Sequence, residues 1–173
     1  MTYHRAFYEI KQKLPSDVVL EPRRRLDCAT FANMGVGMGF AIAAQLHYPE
    51  QRVVAIVGDS AFGFSAMELE TAVRSRLPLV VIVINNNGIY FGLDQGEYDE
   101  LEKKGMLPCT ALTPDVRYEM IAEAVGAKGV LVKTPEDLSV AVEEALKSDG
   151  LTLINCLINP GGYQKLQFAW MGK

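Results

Sequence analysis

Val53-Val54-Ala55-Ile56-Val57-Gly58-Asp59-Ser60-Ala61 is the stretch whose reading decides the fold. Unbroken aliphatic residues over 53–57 suit a strand buried on both faces, as the inner strands of a parallel sheet are. Gly58 ends the run, and Met67, Leu69, Glu70 and Val73 then fall in a helical segment. A glycine at a strand end, followed by free N–H groups at a helix start, makes a ready cradle for a diphosphate. Asp59 stands at the same place. Alone it reads as an ordinary helix N-cap. Beside a diphosphate its carboxylate would repel, unless a cation sits between the two and is coordinated by both. Magnesium fits that role.

A second aliphatic run, residues 79–84, ends in Asn85-Asn86-Asn87-Gly88. Consecutive strands usually pair, so this strand is expected beside the first. Asn86 follows Asp59 by 27 positions, room for one helix and one strand to bring the chain back to the same sheet edge. Asn87-Gly88 alone would read as a tight turn. In this context, the Asp59 carboxylate, the Asn86 carboxamide oxygen and the Gly88 carbonyl form a hard-oxygen set suited to magnesium.

This GD(G/S) to NN pattern resembles the cofactor motif of thiamin-diphosphate enzymes. The resemblance implies magnesium on Asp59, Asn86 and the Gly88 carbonyl, with Gly58 at the turn and the amides of Ser60 and Ala61 facing the diphosphate. Upstream, Phe31-Ala32-Asn33-Met34-Gly35-Val36-Gly37-Met38-Gly39 is not a dinucleotide fingerprint, because Phe40 occupies the place of its third glycine. Residues 34–46 also suit a tightly packed Gly/Ala helix. By resemblance, Met34 props the cofactor in its bent form, and the Ala32 carbonyl and Met34 amide meet its aminopyrimidine ring. Ile89 and Tyr90 complete the implied cofactor contacts. Tyr90 and Phe91 are candidates either to line a substrate pocket or to pack under the loop.

Farther out, strands are expected at 18–20, 129–132 and 152–158, and a helix at 3–14. Thr113-Pro114-Asp115 and Thr134-Pro135-Glu136-Asp137 read as helix starts, with Gly126 and Asp149-Gly150 as the stops. The alternation predicts an α/β domain: a doubly wound, mostly parallel sheet with helices on both faces. At 173 residues and 49% hydrophobic content, one domain spanning 1–173 is expected.

A net charge of −4 argues against a broad nucleic-acid surface. The short cluster Arg23, Arg24 and Arg25 is either a solvated loop or a contact with an anionic ligand or neighbouring domain. Cys28, Cys109 and Cys156 are widely spaced and suggest neither a zinc site nor a disulfide framework. No apolar run approaches the roughly 20 residues of a membrane span.

The wording from Gly58 to Ser65 and from Asn85 to Tyr90 is similar to the 2-hydroxyacyl-CoA lyase and oxalyl-CoA decarboxylase branch. Asn87 favours the lyase side, since the decarboxylases tend to carry glycine there. The similarity covers the C-terminal third of such enzymes. It implies cleavage of a 2-hydroxyacyl-CoA to formyl-CoA and an aldehyde, with thiamin diphosphate as electron sink. It also implies a partner pyrimidine-binding domain carrying the activating glutamate, a second subunit in a homo-oligomer, and a role in fatty acid α-oxidation. The implied location is peroxisomal in a eukaryote and cytoplasmic otherwise. No catalytic residue is expected within this chain, which alone should be inactive. Glu68 and Glu70 lie at the diphosphate end and cannot replace the missing glutamate. The chain also departs from the family pattern after Leu20, where a further diphosphate-holding stretch is expected. Oxalyl-CoA decarboxylase and a noncatalytic binding module are the alternative readings. The aromatic run 168–170 suggests burial against a partner.

Overall fold

The structure, a computed structural model, describes residues 1–15, 26 and 33–161. The expected strand at 18–20, the arginine cluster, Cys28, Ala32 and the aromatic run at 168–170 lie outside the described residues.

The sheet contains β1 (Val54–Gly58), β2 (Val80–Asn85), β3 (Lys128–Val132) and β4 (Thr152–Leu157), all parallel, in the order β1-β2-β4-β3. β2 and β4 are central and buried along their whole length, which explains their largely apolar sequence. Two layers of helices enclose the sheet. On one face α2 (Val36–His47), α3 (Asp59–Gly63), α4 (Glu68–Arg74) and α6 (Tyr118–Ala124) bury Met38, Phe62, Leu69 and Ala122 against Val81, Val83 and Leu153. On the other, α1 (Tyr3–Lys13) and α7 (Pro135–Lys147) bury Ile10, Leu138 and Val142 against Val80, Ile82 and Ile154. This is the expected doubly wound arrangement, with the four described strands all parallel.

The start of α7 follows its sequence closely: the Thr134 hydroxyl accepts the Asp137 N–H at 3.1 Å, and Pro135 opens the first turn. Two expectations are corrected, and one element is new. Thr113 does not cap a helix, because α6 begins only at Tyr118, after Arg117. The Asp115 N–H is taken by Asn87 Oδ1 at 2.9 Å, and Asp115 has φ +54°, so this segment is drawn into the loop beyond β2. Gly150 does not close α7: the helix ends at Lys147 with an extended Ser148, and only Gly126, φ +88°, has the left-handed geometry expected of a stop. The new element, α5 (Gln95–Lys103), has a capping box between Asp94 and Glu97 but buries none of its residues, so no apolar stripe announced it.

Thr152, at the start of β4, buries a hydroxyl with no hydrogen-bond partner among the described residues. Such an atom has lost water without replacement. Thr152→Val keeps the shape and removes the orphan, and we expect it to stabilise the fold by about 1 kcal/mol in urea unfolding with an unchanged slope. Destabilisation would show that the hydroxyl is bonded in solution.

Candidate functional site: the carboxyl edge of β1 and β2

β1 and β2 pair in register from Val54↔Val80 to Gly58↔Ile84, so both strands reach the same edge together. One residue past β1, Asp59 turns into α3 and is only 1% exposed. Its Oδ1 accepts the Ser60 N–H at 2.7 Å, and its Oδ2 accepts the Gly88 N–H at 3.1 Å. The backbone amides of Asn86 and Asn87 also bear on it. The carboxylate thus sits inside the 86–88 loop, the juxtaposition expected from the sequence.

The loop is oriented for oxygen donation. Gly88 bridges Ala111 in antiparallel fashion, but the hydrogen bonds run from Ile89 N–H to the Thr110 carbonyl and from Leu112 N–H to the Asn87 carbonyl. In that pattern the N–H and C=O of Gly88 both face away from residues 110–112. Its N–H meets Asp59, so its carbonyl faces the same side. The Asn86 Nδ2 is fixed on the Tyr90 carbonyl at 3.0 Å, leaving Oδ1 as the remaining polar atom of that side chain. Among the described residues no three His, Cys, Asp or Glu side chains cluster. A cation here would be held by one carboxylate with amide and carbonyl oxygens, a hard set that suits magnesium.

Space is provided by glycine. A Cβ on Gly58 would meet nothing among the described residues within 4 Å, so those residues leave room at the mouth of the site. A Cβ on Gly88 would strike the carbonyls of Phe91 and Thr110 at 2.7 and 2.8 Å, and one on Gly92 would overlap the Asn86 and Asn87 carbonyls. Met34 lies beside the mouth, its Sδ accepting from the Ser60 hydroxyl at 3.2 Å.

The other expected contacts are placed as follows. The Ser60 N–H is engaged by Asp59, whereas Ala61 occupies the third position of α3, where helical N–H groups lack an intrahelical acceptor. Ile89 is half-buried and its N–H goes to Thr110. Tyr90 is 82% exposed with φ +68°, so its ring does not pack under the loop.

Burial raises the Asp59 pKa above the ordinary aspartate value, and the surrounding amides offset only part of this. Because the folded value exceeds the unfolded one, the proton stabilises the cation-free fold. That contribution is complete below the unfolded value and is lost as pH rises through the folded one. A divalent cation against the carboxylate would stand in for the proton. Tyr118 lies close by, its hydroxyl pushed up to about 12 by burial and then by the Asp59 charge.

Sequence reasoning missed Gly92 and the polar residues beneath the loop, Asn85, Asn155 and Glu119. A lone asparagine inside the apolar run of β4 was the available signal for Asn155.

A doubly wound sheet that gathers a carboxylate, two amide-rich turns and a glycine at one carboxyl edge is the class of α/β domain that takes its ligand at that edge. The chain belongs to the thiamine pyrophosphate enzyme family: its C-terminal TPP-binding domain matches residues 16–156. Similar proteins include 2-hydroxyacyl-CoA lyase 1 of Mus musculus, 40% identical over 99% of this chain and 34% of that protein. The 2-hydroxyacyl-CoA lyase of Saccharomyces cerevisiae is 45% identical over 88% of this chain and 27% of its own length. Oxalyl-CoA decarboxylase of Escherichia coli K12 is 42% identical over 81% and 24% respectively. The chain therefore spans about a third or less of these relatives. The mouse alignment runs over 199 positions against a chain of 173, so that relative carries residues with no counterpart here. Among solved structures, benzoylformate decarboxylase from Polynucleobacter necessarius has a TM-score of 0.68 at 21% identity, over 93% of this chain and 34% of that one, a likeness of fold.

Gly92→Ala is expected to destabilise the domain by about 1 to 3 kcal/mol in urea unfolding, because its Cβ would press on loop backbone that cannot yield as a side chain can. A neutral result would mean that the loop is not packed as described.

Proposed function

We propose that this domain holds thiamin diphosphate through magnesium, in a carbon–carbon lyase that cleaves a 2-hydroxyacyl-CoA to formyl-CoA and an aldehyde. The observation that carries the reading is the buried Asp59 carboxylate aimed into the 86–88 loop, where no cationic side chain among the described residues balances it. Asp59, the Asn86 Oδ1 and the Gly88 carbonyl would hold the metal. Gly58, Ser60 and Ala61 would border the diphosphate, and Met34, with Ala32, the organic end of the cofactor. Ile89 and Tyr90 would close the set from the loop. When bound, thiamin diphosphate supplies the nucleophilic carbon and the electron sink for carbon–carbon cleavage. This chain's share is to bind, orient and exclude water.

The lyase relatives named above support the substrate class, and Asn87 favours it over oxalyl-CoA decarboxylase. That residue is at φ +66°, which asparagine tolerates, and its amide ties Asp115 and Leu93 to the loop. A peroxisomal location in a eukaryote, a cytoplasmic one otherwise, a role in α-oxidation, and assembly with a pyrimidine-binding domain and a second subunit follow from the same reading. Among the described residues no helix is long and apolar enough to cross a membrane.

Thermal unfolding with thiamin diphosphate, with and without magnesium, tests it. At about 100 times the dissociation constant, linkage predicts about 2.7 kcal/mol, on the order of 5–10 °C for a domain of this size. Asp59→Asn should remove the magnesium-dependent part. A flat response in the natural chain would favour a noncatalytic module. Carbon dioxide instead of aldehyde from the enzyme carrying this domain would favour oxalyl-CoA decarboxylase.

A further inference from the structure

Beneath the loop lies a chain of buried polar groups that the cofactor reading does not use. Asn85 and Asn155 extend the apolar rows of β2 and β4 at the carboxyl end of the sheet, under α6, and both are buried. Glu119, on α6, is 2% exposed. Its Oε1 accepts from Arg117 Nε at the surface, and its Oε2 accepts from Asn155 Nδ2 at 2.7 Å. Asn155 Oδ1 accepts from Asn85 Nδ2 at 3.2 Å. Asn85 Oδ1 accepts the Asn87 N–H at 3.2 Å. The Val116 carbonyl receives a second hydrogen from each asparagine, at 3.1 and 2.9 Å.

The chain has a direction. An ionised carboxylate only accepts, so it fixes which end of the Asn155 amide faces it. That orientation presents Asn155 Oδ1 to Asn85, which in turn presents Asn85 Oδ1 to the loop. A neutral group that can also donate would weaken the preference, leaving the Val116 carbonyl to hold the two amides. If both asparagines flipped, an NH₂ would face the Asn87 N–H, and the loop would lose its anchor. Gly129 permits the arrangement: a Cβ there would run into the Glu119 backbone carbonyl, so glycine in β3 lets α6 sit close enough for the carboxylate to reach Asn155.

We propose that Glu119 is a positioning residue whose charge, relayed through Asn155 and Asn85, fixes the conformation of the 86–88 loop and so the affinity of its oxygen ligands for magnesium. The metal part rests on the cofactor reading above; the loop part does not. Outer partners of this kind are typically worth about 10–100-fold in metal affinity.

The test compares the natural chain with Glu119→Gln, which keeps shape and hydrogen-bonding capacity but loses direction, and with Arg117→Gln at the exposed end. Without ligand, amide hydrogen exchange at Asn87 and Gly88 should quicken in Glu119→Gln while the core of β2 at Val81–Val83 keeps its protection. Arg117→Gln should change the same amides less. With thiamin diphosphate present, magnesium should bind about tenfold or more weakly to Glu119→Gln. A purely structural role would instead raise exchange in loop and core alike. Unchanged loop exchange in both variants overturns the proposal. Faster loop exchange with unchanged magnesium affinity overturns its metal part. If Glu119→Gln does not fold, Arg117→Gln decides alone, and exchange equal to the natural chain overturns it. No magnesium response in the natural chain would sink the cofactor reading and leave the exchange experiment to judge the loop.

Discussion

The structure turns on one register. Pairing Gly58 with Ile84 brings two strand ends level, and only then can a carboxylate one residue past β1 meet amides one to three residues past β2. A parallel sheet makes this possible because every strand delivers its carboxyl end to one edge, and the intervening helices return the chain without obstructing it. A shift of one residue would turn the side chains of β2 onto the opposite helix layer, moving Val81 and Val83 out of one core and Ile82 and Ile84 out of the other. Core packing therefore holds the site's geometry.

At that edge the usual rule of an apolar interior is suspended. Asp59, Asn85, Asn87, Glu119 and Asn155 are all buried. The asparagines are satisfied by one another, by backbone groups and by Glu119, whereas Asp59 accepts only neutral amides. The two buried carboxylates consequently differ. For Glu119, burial pushes the pKa up, but hydrogen bonds from Asn155 and Arg117 and the charge of Arg117 carry it below the ordinary value. Its ionised form thus stabilises the fold at neutral pH, a contribution lost as pH falls through the lowered folded value. Asp59 shifts the other way because no cation is at hand among the described side chains. One carboxylate has a counter-charge within the fold, and the other, among the described residues, has none.

How much of this was legible follows from what each feature requires locally. The strands announced themselves as aliphatic runs, and the meeting of Asp59 with the 86–88 loop was readable because both lie just past consecutive strands of one parallel sheet. The relay was hidden, because Glu119 and Asn155 are 36 residues apart and meet only through the strand order β2-β4-β3. Gly92 and Gly129 were invisible for the same reason: each is glycine on account of a backbone it meets in space. The false start at Thr113 came from sound capping chemistry overruled by Asn87, which binds the Asp115 amide from across the fold.

The site is also incomplete by its own surface. Met34, Phe64, Met67 and Tyr90 are exposed, and Gly35 and Phe64 touch closely enough that a Cβ on Gly35 would lie 2.8 Å from the Phe64 Cβ. Scattered apolar residues need no explanation on a lone domain, but these fall in the segments that flank Asp59 and the 86–88 loop. A ligand held only at its anionic end would leave the rest of its body over this region, open to water. If the proposed carbanion chemistry takes place here, water must be kept from that region, and the described residues alone do not cover it.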